Sequence, residues 1–324
     1  MKRRDFVKNT TLTALGATLI GPLAAAAAEP VVTHLESEDV SPSAKLADGY
    51  DMHFMAVGDW GRNAEYDQPE VAKQMGIWGK THPNDFVISA GDNFYPKGVV
   101  SEHDPLWNYS FESVYTAHSL QCDWYPILGN HDYHSDPDAQ IRYSKVSRRW
   151  NMPARYYSKE MELSKGNKVL FVMIDTDPML FDEKKEYTAK QLVWINNTLK
   201  NASADVKWKI VVGHHPAYTV GPRITNYDTL TMRKVLTPVF AQHKVDLYLS
   251  GHDHSLQHSK PDGFTHQFIT GAGSELTAVT AGVPYSKFQE STHGFMYFSI
   301  DAKRVNVKAI DTTGKVLYET EMTK

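Results

Sequence analysis

Five short apolar runs in this 324-residue chain end alike, in a glycine followed by polar side chains. Residues 52–57 lead into Gly58-Asp59-Trp60-Gly61, and 85–90 into Gly91-Asp92-Asn93-Phe94-Tyr95. Residues 124–128 lead into Gly129-Asn130-His131-Asp132, 208–212 into Gly213-His214-His215-Pro216, and 245–250 into Gly251-His252-Asp253-His254. The runs are nearly continuous in Val, Ile, Leu and Phe, the pattern of strands covered on both faces. Helix-like stretches lie between several of them, over 69–80, 138–150, 188–199 and 229–243. Strands alternating with helices predict an α/β fold with a largely parallel central sheet. In such sheets functional groups sit just past the carboxyl ends of the strands. The glycine permits a sharp turn and close backbone approach. One such run is a strand ending in a turn; five in order, carrying only Asp, Asn, His and Tyr, aim their side chains at one place.

The residue types decide the chemistry. A single cysteine, Cys122, against 15 histidines excludes an intrachain disulfide and any cysteine-based zinc or iron–sulfur site. Asp, Asn, His and Tyr are hard and borderline metal ligands. Asp59, Asp92, Tyr95, Asn130, His214, His252 and His254 supply seven ligands. If Asp92 bridges through both oxygens, they make the contacts two ions need at about four protein ligands each, the arrangement that hydrolyses phosphate esters. A net charge of −4 argues against a nucleic-acid binder held by phosphate contacts.

With these motifs in this order and spacing, the chain resembles the purple acid phosphatases within the calcineurin-like metallophosphoesterases, and most of all their small, tartrate-resistant acid phosphatase type. The likeness extends to residues 140–153 and 188–195 and covers the chain from about residue 50 to its end. It implies a four-layer α/β/β/α sandwich with two mixed sheets, and one catalytic domain over 50–324. It also implies an acid phosphatase that hydrolyses phosphomonoesters by metal-bound hydroxide attack at a binuclear Fe(III)–M(II) centre. Carried over by motif, Asp59, Tyr95 and His254 would bind the ferric ion. Asn130, His214 and His252 would bind a divalent ion, iron, zinc or manganese, and Asp92 would bridge. Other members of the superfamily have Asp-x-His at the first motif; here Gly61 stands in place of that histidine, and Tyr95 fills the gap. A tyrosinate is a hard anion that favours Fe(III) and gives the family's purple colour. Three anionic ligands against a ferric and a divalent ion leave the site net positive even with hydroxide bound, so it attracts phosphate.

His131 matches the family histidine that contacts the substrate phosphate and protonates the leaving group. The mammalian-type enzymes have a second substrate histidine at the position of Arg223, and arginine can hold phosphate but not act as an acid at working pH. Either Arg223 binds substrate or His215 substitutes; His215 also stands where the family often has Tyr. The segment over 177–190 is shorter than the loop that represses the mammalian-type enzymes, so no proteolytic activation is expected. Trp60 and Phe94 either wall the pocket or pack, His293 is a further candidate near the site, and Cys122 reads as a small buried residue. Two other readings stay open: a divalent-metal phosphodiesterase or nucleotidase of the same superfamily, and a non-catalytic phosphate- or metal-binding surface protein. Expected substrates are small phosphate esters, with nucleotides and phosphoproteins in range.

Residues 1–28 read as an address. Arg3-Arg4 stands ahead of an apolar run that ends in Ala24–Ala28, a twin-arginine signal with small residues for cleavage. Gly16, Gly21 and Pro22 and its shortness tell against a membrane span. The chain is expected to engage the Tat export machinery, keep no stable membrane anchor after cleavage, and work in the periplasm or outside a bacterial cell. Residues 29–49 read as a linker or arm. Gly79-Lys80-Thr81 resembles the end of a phosphate-binding loop, but Gln74 stands where its first glycine belongs.

Overall fold

The computed structural model describes residues 49–324, so the signal reading over 1–28 and the arm up to residue 48 lie outside the described residues. Strands β1 (Met52–Val57), β2 (Phe86–Ser89) and β3 (Asp123–Pro126) run parallel. On the other side of β1, the antiparallel strands β11 (Gly294–Ile300), β12 (Arg304–Asp311) and β13 (Val316–Thr323) complete a six-stranded sheet, in order β13-β12-β11-β1-β2-β3.

A second sheet of seven strands has β5 (Lys168–Met173), β6 (Val206–Val212), β7 (Leu247–Ser250) and β9 (His266–Thr270) in parallel at its centre. Antiparallel β4 (Tyr157–Glu162) closes one edge, and β8 (Leu256–Ser259) with β10 (Ser286–Glu290) closes the other.

The five apolar runs are therefore strands, but they divide three and two between two mixed sheets and do not share one central sheet. Side-chain alternation along β5 gives the reason. Val169, Phe171 and Met173 enter the core between the sheets, with Phe54, Phe86 and Phe298. Leu170 and Val172 turn outward into a second core with Ile195 and Leu199 of α3 (Lys185–Lys200) and Leu236 and Phe240 of α4 (Tyr227–His243). A strand between a sheet and a helix layer is apolar on both faces, so the same run serves either arrangement. Phe54 stacks on Phe298 at 4.6 Å and meets Phe171 edge-on at 5.5 Å, which knits one sheet to the other. Helix α1 (Gln68–Thr81) sets Trp78 against Tyr297 of β11.

The helix expected over 138–150 ends early, as α2 (Asp138–Tyr143). Ser144 Oγ accepts the main-chain N–H of Met152 and Ser147 Oγ donates to Glu112, so local serine bonds compete with the helix ladder. No helix of the described residues is long and apolar enough to cross a membrane.

Candidate metal centre

The carboxyl ends of β1, β2, β3, β6 and β7 meet along the seam between the sheets, and the polar residues after each glycine converge there. Tyr95 Oη lies 3.1 Å from Asp59 Oδ1, 2.9 Å from Asp92 Oδ2 and 3.2 Å from His254 Nε2. His214 Nε2 lies 3.4 Å from the same Asp92 Oδ2 and 3.3 Å from Asn130 Oδ1. One ligating atom of His252 lies within 4.8 Å of those of His214 and His215. Two groups of donors thus share Asp92. Both approach its Oδ2, while Oδ1 accepts the main-chain N–H of His131 at 2.8 Å.

These residues fit a pair of cations. His214 Nδ1 lies 2.9 Å from the Ala90 carbonyl and so donates its proton there, which leaves Nε2 a lone pair in the neutral ring. That lone pair faces two oxygen acceptors with no proton between them. Without an ion, His214 must take up the positive charge. Burial opposes this, but Asp92 and Asp59 outweigh it and the ring is pushed up to about 9. Burial raises the Asp92 carboxyl, yet His214 holds it well below the usual range. Burial and then Asp59 push the Tyr95 phenol well up. Its single proton cannot serve both carboxylates, and replacing it by a cation satisfies all three groups. Oxygen and imidazole donors without thiolate suit hard and borderline metals.

The backbone is bent to make this convergence. Asp59, Asp92 and His252, each directly after a glycine, have φ of 58°, 50° and 70°. Non-glycine residues rarely enter that region, at a cost on the order of 1 kcal/mol each. At β1 and β7 the ligand residue itself takes the left-handed turn that the sequence assigned to glycine. Gly61 has a different reason. A Cβ there would sit 1.8 Å from the Asn93 carbonyl oxygen and 2.8 Å from Phe94 Cα. The Tyr95 main-chain N–H bonds the Gly61 carbonyl at 2.8 Å. Any side chain at position 61, a histidine included, would push out the loop that carries Tyr95.

His131 stands beside the centre, its ring 4.3 Å from that of Tyr95 and its Nδ1 2.7 Å from the Pro96 carbonyl. His215 is buried and lines a cleft of about 850 Å³ together with Asn130, His252 and Asp228. Arg223 does not line that cleft; its Nη1 binds Asp253 at 2.8 Å and the His252 carbonyl at 3.0 Å. Trp60 and Phe94 pack and wall nothing: both are fully buried, and Trp60 is ringed by Phe111, Tyr115, Trp124 and Trp150. His293 sits 3.4 Å from Asp67 and joins neither donor group. Cys122 is half-buried beside Asn84, its thiol pushed up to about 12 by burial.

Three residues at the centre escaped the sequence reading. Asp228 accepts from His252 Nε2 at 2.7 Å, which leaves Nδ1 of that ring for other duty. Arg62 lays its guanidinium over the Tyr95 ring at 3.5 Å. Buried Asp132 accepts the main-chain N–H groups of Asn93 and Phe94 at 3.1 Å and of Gly129 at 2.9 Å, tying two ligand loops together. Asp132 was readable as part of Gly129-Asn130-His131-Asp132, and Arg62 as the residue next after Gly61; Asp228 carries no signal in its neighbours.

A calcineurin-like phosphoesterase family model matches residues 52–256. Purple acid phosphatase 17 of Arabidopsis thaliana is 35% identical over 288 residues, 82% of this chain and 82% of that protein. Tartrate-resistant acid phosphatase type 5 of Homo sapiens is 33% identical over 311 residues, 86% of this chain and 93% of the relative. Among solved structures, GAP50, the anchor in the inner membrane complex of Plasmodium, superimposes with a TM-score of 0.77 at 25% identity, over 85% of this chain and 89% of that one.

Proposed function

The chain belongs to the calcineurin-like phosphoesterases and, within them, to the purple acid phosphatases, hydrolases of phosphoric monoesters with a binuclear metal centre; from that premise we propose which of its residues do the work. Asp59, Tyr95 and His254 would hold a ferric ion. Asn130, His214 and His252 would hold a divalent iron, zinc or manganese ion, and Asp92, whose Oδ2 both donor groups approach, would be shared. The observation that carries this reading is the approach of Tyr95 Oη and His214 Nε2 to that one oxygen from two sides. When bound, the ions supply Lewis acidity toward the phosphoryl oxygens and an activated water.

The protein's own groups orient and move protons. Asp228 fixes the His252 tautomer through Nε2, and Arg62 steadies the Tyr95 ring. His131 donates Nδ1–H to the Pro96 carbonyl, which keeps Nε2 for the substrate phosphate and the leaving oxygen. Thr176 Oγ1 accepts the main-chain N–H of His215 at 3.2 Å and donates its own proton to His215 Nδ1 at 2.8 Å. His215 Nε2 then carries its hydrogen into the cleft as a neutral donor. His215, and not Arg223, thus takes the role of the second substrate histidine. Export by the Tat route to the periplasm or medium rests on Arg3-Arg4 and the apolar run after them. Substrates are small phosphate esters, nucleotides and phosphoproteins among them.

The experiment is metal analysis and a visible spectrum of the purified protein beside turnover of p-nitrophenyl phosphate. Two ions per chain, at least one of them iron, with visible absorbance that a reductant shifts, are expected. A colourless, iron-free enzyme of full activity refutes the ferric assignment. His131→Ala should keep both ions and the absorbance while kcat falls by about 10²–10⁴; loss of metal in that variant overturns the role of His131.

A further inference from the structure

The loop after Gly61 is held in a strained shape around one cation. Asn63, Ala64 and Tyr66 have φ of 57°, 59° and 55°, so three non-glycine residues close together occupy the left-handed region. Buried Gln68 locks the bend. Its Oε1 accepts the main-chain N–H of Arg62 at 3.2 Å and of Ala64 at 2.9 Å, and its Nε2 donates to the Ser110 carbonyl at 2.7 Å. Ser110 Oγ accepts the main-chain N–H of Asn63 at 2.9 Å and donates to Asn63 Oδ1 at 2.8 Å. Ser110 itself sits in a short π-helix, Trp107–Glu112, a rare form that gathers at functional sites.

The side chain so fixed is Arg62. Its guanidinium carbon lies 3.5 Å from the centre of the Tyr95 ring, well inside the distance at which a cation is drawn to a π face. Nη2 binds Glu275, while Nε is buried with no hydrogen-bond partner among the described residues. An arginine placed for its hydrogen bonds would not leave that nitrogen bare; this one is placed for its charge. The Arg62 side chain is 17% exposed and that of Glu275 30%, so water screens the acid more than the base, and the ring feels a net positive charge.

A cation against a tyrosinate draws on the ring's π electrons and makes the phenolate a poorer donor. The filled ring orbital falls in energy, so moving charge from it to a ferric ion takes more energy and shifts the visible band to shorter wavelength. A fixed positive charge beside the centre also favours the ion with one positive charge fewer. On the reading that Tyr95 holds a ferric ion, we infer that Arg62 is a positioning residue that sets the colour and the reduction potential of that ion through the Tyr95 ring, with Glu275 as its counter-charge.

The test is the visible spectrum and a reductive titration of wild type and variants, each loaded with one iron and one zinc per chain so that a single ion changes oxidation state. A reductant of known potential gives one electron to each ferric ion, and loss of the tyrosinate band follows the reduction. Arg62→Gln should move the absorbance maximum to longer wavelength and lower the ferrous-to-ferric ratio at a fixed potential about tenfold, which is about 59 mV for a one-electron couple. Arg62→Lys keeps the charge and should bring the ratio back to within about threefold of wild type, a recovery that packing alone would not give. Glu275→Gln removes the counter-charge and should shift both readouts the opposite way from Arg62→Gln; it decides alone if the Arg62 variants fail to fold or to hold iron. An unchanged band and ratio in Arg62→Gln or in Glu275→Gln overturns the inference, as does an Arg62→Lys that behaves like Arg62→Gln. A wild type without iron, or with iron and no visible band, refutes the ferric assignment itself and takes the inference with it.

Discussion

Acid should weaken this fold through a histidine pair that belongs to neither donor group. His258 on β8 places Nδ1 2.9 Å from Tyr318 Oη on β13 and Nε2 3.0 Å from Nδ1 of His266 on β9. Its ring stacks on Phe268 at 4.3 Å. Burial, then His266, Lys287 and Lys260, push His258 down to about 3 from an ordinary 6.5. Burial and the same two lysines push His266 down to about 4. Below pH 6.5 the unfolded chain takes up protons that the folded chain refuses, so stability falls with pH until the folded values are reached. At pH 5, His258 alone removes about 2 kcal/mol relative to pH 7. His266 is more open to solvent and adds less. The assay is the urea midpoint and slope at pH 7 and pH 5, for wild type and His258→Gln, at equal metal loading. The variant should lose less stability between the two pH values, by about 2 kcal/mol. Identical pH dependence in both proteins would refute the assignment, whatever the variant does to stability at pH 7.

Gly61→Ala puts a methyl group 1.8 Å from the Asn93 carbonyl oxygen, so metal content per chain and thermal stability should both drop. Full metal loading in that variant would contradict the packing reason given for the glycine. Tyr95→Phe should remove the visible absorbance while far-UV circular dichroism stays native; a retained colour would move the ferric ion elsewhere. Arg223→Gln leaves the fully buried Asp253 short of its charge partner and should cost on the order of 3 kcal/mol in urea unfolding. A fall in kcat/KM at unchanged stability would instead make Arg223 a phosphate ligand.

The strand ends were legible because a both-sided apolar run halting at glycine and a ligand is two signals in one place. Where those strands go was not. The alternation of Phe171 and Val172 says that both faces of β5 are covered, not that one cover is a sheet and the other a helix layer. Strands β10 and β13 are half exposed and show little apolar contrast, so those two give weak notice of themselves. Within the centre, the seven proposed ligands could be named because each belongs to a motif. Asp228 could not, since an acid in the first turn of a helix is ordinary. Its bond to His252 exists only because β7 ends beside the start of α4. The left-handed backbone at Asp59 and His252 was hidden for the opposite reason: glycine next door is the residue one would choose for it.

Asp59, Asp92, Tyr95 and Asn130 follow strands of one sheet, and His214, His252 and His254 follow strands of the other. Ions held by both sets would act as rivets through two slabs whose other joint is the aromatic layer around Phe54. Emptying the rivet holes leaves only the weaker contacts of Asp92 with His214 and of Asp59 with His254 across the joint, so the chain would begin to part there, at its catalytic rim, while the Phe54 layer still held. Metal occupancy is then a mechanical property of the whole sandwich as well as a catalytic one.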